Sequence, residues 1–158
     1  MQLTFSTTGF IHLISAVIAL ISGTIVFVLR KGGSTHKRLG YVYVISMIVM
    51  LVTSFMIYRL FNGFGLFHFF SVVSTLTLIG GMLPALRRKP EKKWLGMHFS
   101  FMYWSVIGLY AAFVAEVLTR VPSTPFFGML GIAIAVVMII ASIAWRRKKK
   151  EWNNLFKL

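Results

Sequence analysis

The sequence predicts an all-α, polytopic integral membrane protein with five transmembrane helices. Three observations predict it. Of the 158 residues, 58% are apolar and 13% carry charge, roughly half the charged share of a soluble domain. The mean hydropathy is +0.82. The apolar residues fall in five runs, each close to the about 20 residues that cross a hydrocarbon core.

The first run covers residues 9–29. No basic region precedes it and no small-residue cleavage pattern follows it, so it reads as a retained anchor and not as a signal peptide. Arg30-Lys31-Gly32-Gly33-Ser34 then makes a turn, with Ser34 as the candidate N-cap of the next helix. The second span is expected over 41–61, and Asn62-Gly63-Phe64-Gly65 turns the chain into the third, over 66–86. The proline-bearing run 87–93, which is strongly basic, leads to the fourth span, 95–119, and the proline-bearing run 120–125 to the fifth, 125–145. The fifth holds no His, Glu or Arg, and its Gly128, Gly131 and Ser142 suit contact with another helix, so it reads as peripheral. The division expected is a membrane bundle over 1–120, a fifth transmembrane helix over 121–146 and a basic tail over 147–158.

Loops this short make successive helices antiparallel. Alternation then puts fifteen of the 17 Lys and Arg residues on one side and leaves Arg59 and Arg120 on the other. By the positive-inside rule the N-terminus is outside and the C-terminus cytoplasmic, in a bacterial cytoplasmic membrane. The net charge of +14 is thereby accounted for by topology and by anionic headgroups, at about 1 kcal/mol per residue near the surface. No nucleic-acid partner is required.

Composition also excludes chemistry. There is no cysteine and no aspartate, and the three carboxylates are Glu91, Glu116 and Glu151. That removes thiolate metal sites, c-type haem attachment, iron–sulfur ligation, disulfide frameworks and nearly all paired-carboxylate chemistry.

Shifted by 56 residues, the chain aligns His12-Leu13-Ile14-Ser15 with His68-Phe69-Phe70-Ser71, and Lys37-Arg38-Leu39-Gly40 with Lys93-Trp94-Leu95-Gly96. Two repeated hairpins, about 9–62 and 65–119, are expected to form a four-helix bundle. At helical spacing His12 shares a face with Ala16, Ala19 and Gly23, His68 with Ser71 and Thr75, and His98 with Ser105, Leu109, Ala112 and Glu116. These stripes are expected to face inward, because a lipid-facing Glu costs several kcal/mol.

His12, His68 and Glu116 then lie toward the outer ends of their helices, with Tyr58 and Arg59 in the same layer, while His36 and His98 lie toward the cytoplasm. Imidazoles on facing helices hold b-type haem or a divalent metal. His12 with His68 suits a haem, and His12, His68 and Glu116 a metal ion. His36 and His98 form an inner pair about 9 Å out of level at helical rise. Against these stand plainer roles: hydrogen bonds from His12 and His68 to carbonyls, a surface place for His36, and an ion pair of Glu116 with Arg59 or Arg120. Trp94, Trp145, Tyr41 and Tyr58 read as interfacial anchors, and the methionines as packing.

The run from Lys31 to Tyr43, following Ile11-His12, resembles an uncharacterised family of bacterial multi-pass membrane proteins defined as a domain of unknown function. So do His98, Met102 and Ser105 with the stretch from Ala111 to Glu116. The likeness covers most of 11–116 and leaves the fifth helix outside. It implies an integral membrane protein and draws attention to His12, His36, His98 and Glu116. Histidines alternating between leaflets more loosely resemble the ascorbate-type di-haem b cytochromes. The expected function is a haem- or metal-binding membrane redox protein. A small proton-coupled transporter using Glu116 and a non-catalytic accessory subunit are the alternatives, as a homodimer or with other membrane subunits.

Overall fold

The computed structural model describes residues 6–58, 63–91, 93–121 and 125–156, the last four by backbone alone. Five helices, α1 (Thr7–Val28), α2 (Ser34–Ser54), α3 (Leu66–Arg87), α4 (Trp94–Leu118) and α5 (Phe126–Phe156), account for nearly all of them, and no strand occurs among the described residues. Every one of the five is long and apolar enough to cross a membrane.

The distribution of polarity agrees with lipid as the solvent. Ile21, Ile45, Leu76, Ile139 and Ile140 are each more than half exposed, whereas Ser15, Ser22, Ser46, Thr53, His68, Ser71 and Ser105 are buried. In water each exposed side chain of that size forgoes about 1.5–3 kcal/mol of burial, so this pattern is stable only where the surroundings are apolar. Four of these buried hydroxyls donate within their own helices, as suits a bilayer: Ser15 to the Ile11 carbonyl at 2.8 Å, Ser22 to that of Ile18 at 2.6 Å, Thr53 to that of Val49 at 2.8 Å and Ser71 to that of Phe67 at 3.0 Å.

The chain divides into two compact units, Met1–Ile79 and Gly80–Leu158, with the boundary inside α3. In the first, α1 packs along α2. The buried residues of α1 are all small, Ser15, Ala19, Ser22 and Gly23, which permits close backbone approach. On α2 they include the larger Tyr43, Met47 and Met50. Ser6 caps α1 by accepting from the Gly9 N–H, and Lys31 closes its other end on the carbonyls of Val26 and Phe27. Gly32, at φ 82°, supplies the left-handed backbone that the turn into α2 uses.

In the second unit α4 packs on α5. Tyr103 donates to the Ala141 carbonyl at 2.6 Å, and Phe99, Tyr103, Trp104, Trp145 and Trp152 form a continuous aromatic cluster. Gly80 and Gly81 on α3 admit Phe101 and Met102: a methyl group at Gly81 would stand 2.7 Å from the Met102 sulfur.

Three boundaries differ from those expected. Helix α2 starts at Ser34 and ends at Ser54, not at 41 and 61. The basic run Lys37-Arg38 is a good helix former, and at the far end the Ser54 hydroxyl takes the Leu51 carbonyl at 2.7 Å, competing with the backbone for the last turn. Ser34 is the first helical residue, and the N-cap is Gly33. Helix α5 runs through the basic segment to Phe156, because no Gly or Pro follows Gly131 and Lys148 pairs with Glu151 one turn on at 2.9 Å.

Candidate functional site

The first unit gathers polar side chains at one end, where α1 and α3 begin and α2 finishes. His12 is in the second turn of α1, Thr53 in the last turn of α2 and His68 in the first turn of α3. The His12 Nδ1–H donates to the Met50 carbonyl at 3.0 Å and lies 3.2 Å from the Thr53 hydroxyl, which itself donates back to Val49 at 2.8 Å. A carbonyl can only accept, so the proton sits on Nδ1 and the lone pair on Nε2. One residue further along α2, the Ser54 hydroxyl lies 2.8 Å from the Ser71 hydroxyl of α3. Polar contacts thus link α1 with α2 and α2 with α3 at this end of the first unit.

His68 is seated differently. It is 4% exposed and occupies the third position of α3. From there its Nδ1 accepts the Gly65 N–H at 3.2 Å, the reciprocal contact of a capping box with imidazole in place of the usual Glu or Gln. The neutral ring then carries its proton on Nε2, the opposite tautomer to His12. Tyr58 stacks on it at 4.7 Å and Phe64 at 5.1 Å, with Phe55 tilted at 6.3 Å. Tyr58 thus shares the His68 layer; Arg59 lies outside the described residues.

In the second unit His98, in the second turn of α4, donates from Nδ1 to the Gly81 carbonyl of α3 at 2.9 Å. Pro84 explains why this stretch of α3 interacts sideways: it lacks the N–H that would close on Gly80, loosening the ladder where Gly81 presents its oxygen. His12 and His98 therefore share one device, an Nδ1–H given to the main chain of a neighbouring helix, which fixes the ring and its tautomer. Second-shell bonds of this kind orient metal-ligating histidines. His36 is half-buried in the first turn of α2, where α2 meets the basic loop.

Glu116 is exposed and pairs with Arg120 one turn on, the plainer of the roles the sequence allows it. The stripe that begins at His98 is buried at Ser105 and Leu109 and emerges at Ala112 and Glu116, because a carboxylate near a helix end reaches the interface more cheaply than it can be buried. Among the described residues no three His or carboxylate side chains gather as a metal ion would require; His12, His68 and Glu116 do not form such a group. Thr53, Ser54, Gly65 and Phe64 were not singled out by sequence reasoning. The one available signal was Gly65 placed three residues before a polar side chain, at a helix start.

Neither a curated protein nor a solved structure matches the chain. A family model does, over residues 9–147, and so extends through the apolar part of α5, which the resemblance seen in the sequence had left out. The chain belongs to the family described as Predicted membrane protein (DUF2306).

Proposed function

We propose that this integral membrane protein is a redox protein that binds haem b, with His12 in the first unit and His98 in the second each supplying an axial nitrogen to a haem of its own. The observation that carries the reading is the shared Nδ1–H to carbonyl bond, 3.0 Å at His12 and 2.9 Å at His98, which holds each ring against the main chain of a neighbouring helix in the tautomer whose lone pair is on Nε2, as second-shell bonds do for ligating histidines. Haem is preferred to a bare divalent ion because a porphyrin brings four of the iron's ligands, whereas an isolated ion needs three or more from protein, and no such group occurs among the described residues. It is preferred to proton-coupled transport because Glu116, the residue such a mechanism would use, is exposed and held by Arg120. The topology expected from the sequence, with His12 toward the outer end of the first span and His98 toward the cytoplasmic end of the fourth, would suit electron transfer across a membrane. Bound haem would supply the one-electron chemistry; the chain's part is to orient the imidazoles and exclude water.

The test is the reduced-minus-oxidised absorbance spectrum of detergent-purified protein from haem-replete cells, with haem quantified on the same sample. A Soret band that falls in proportion in His12→Ala and His98→Ala, and is unchanged in His36→Ala, is expected. Absence of a Soret band from the unaltered protein refutes the proposal.

A further inference from the structure

The capping contact leaves one group of His68 unexplained. With Nδ1 engaged by the Gly65 N–H at 3.2 Å, the ring proton is on Nε2. That atom is buried without a hydrogen-bond partner, in a side chain 4% exposed. A buried donor left unmet is costly, most of all where no water can serve it. The cap alone does not call for it. Glutamate at the same third position satisfies the N-cap N–H and leaves no donor behind.

The surroundings suit a ligand. Tyr58 and Phe64 stack on the imidazole at 4.7 and 5.1 Å, inclined by 26° and 29°, yet they are 48% and 67% exposed. What separates the buried N–H from the exterior therefore includes two surface rings, whose rotation disturbs no helix packing. These rings also offer flat apolar faces.

We infer that His68 is a binding residue for a membrane-dissolved molecule that brings a carbonyl oxygen to Nε2–H and a planar apolar body to Tyr58 and Phe64. A quinone headgroup has both features; a phospholipid ester has the carbonyl alone. The inference is independent of haem, since it concerns a different imidazole in the opposite tautomer, and its test reads only that ring.

The protein is labelled with ¹⁵N-histidine, purified in detergent free of phospholipid, and titrated in separate arms with a short-chain benzoquinone and with phosphatidylglycerol. The His68 Nε2–H resonance is identified by its loss in His68→Gln. A saturable downfield shift with the quinone supports the inference. The same shift with phosphatidylglycerol alone supports the carbonyl acceptor and assigns it to lipid. No shift in either arm overturns it.

Two variants separate binding from capping. His68→Gln keeps an oxygen for Gly65 and an N–H donor, and is expected to hold the quinone within a few-fold of the original affinity by calorimetric titration. His68→Glu keeps the cap and loses the donor, and is expected to bind at least about tenfold more weakly, the loss of roughly one hydrogen bond. Equal affinity in the two variants refutes the donor role even where the shift is seen.

Discussion

A methyl group added at Gly81 would meet the Met102 sulfur at 2.7 Å and the Met102 backbone nitrogen at 3.2 Å. The sulfur can swing away, but the main chain cannot, and Gly81 also carries the carbonyl that His98 uses. Gly81→Ala is therefore expected to destabilise by about 1–3 kcal/mol, the usual cost of overpacking. Gly108, with nothing within 4 Å of the same construction, should gain up to about 1 kcal/mol as alanine from helix propensity alone. Thermal unfolding of both variants in one detergent checks this; equal shifts would show that α3 and α4 do not interlock as described. The same scale marks the limit of sequence reading at the site. That His68 and Ser71 are buried followed from helical spacing, which is a local property. The tautomers of His12 and His68 did not follow, because they depend on whether a carbonyl or an N–H arrives from elsewhere in the fold, and neither partner is visible in a linear pattern.

Helix α5 shows the same limit for elements. Its apolar run was legible, and the 31 residues it reaches were not, since a run of lysines reads equally as solvated tail or as helix. At about 1.5 Å per residue it is about 46 Å long, against about 30 Å of hydrocarbon, so a substantial part stands beyond the apolar layer. Trp152 holds that part, stacking on Phe99 at 5.1 Å and meeting Trp145 at 5.6 Å. Trp145 and Trp152 are two helical turns apart and so lie on one face, leaving Arg146, Arg147, Lys149 and Lys150 exposed to headgroups. Aromatic pairs contribute about 0.5–1.5 kcal/mol each beyond burial. In Trp152→Ala, amide hydrogen exchange over 146–152 should quicken by about tenfold or more, while exchange around Ala133 and Ala141, which are buried, should not change. Unaltered exchange in the extension would mean that local helix propensity, and not the aromatic cluster, maintains it.

For the whole molecule, the apolar exterior and hydroxyl-rich interior make the bilayer the solvent, and the family match over 9–147 takes in all five spans apart from the first residues of α1 and the end of α5. Orientation rests on a separate physical term. Basic residues lie at the C-terminal ends of α1, α3 and α5 and the N-terminal ends of α2 and α4, so with alternating helices they are expected on a common side, the side that the positive-inside rule assigns to the cytoplasm. The absence of cysteine makes the test clean, since a single introduced thiol is the only one present. Thr7→Cys, at the start of α1, should react with a membrane-impermeant maleimide in intact bacterial cells. Lys149→Cys, on the exposed basic face of α5, should react only after permeabilisation. The outcome also locates the chemistry. With this labelling pattern the His12 and His68 layer belongs to the outer leaflet and His98 to the inner one, which is the separation a transmembrane electron path needs. The reverse pattern would exchange the two and would require some other force to outweigh fifteen clustered cations. Labelling of both positions in intact cells would mean mixed insertion, and a single directed path would then fail at its first requirement.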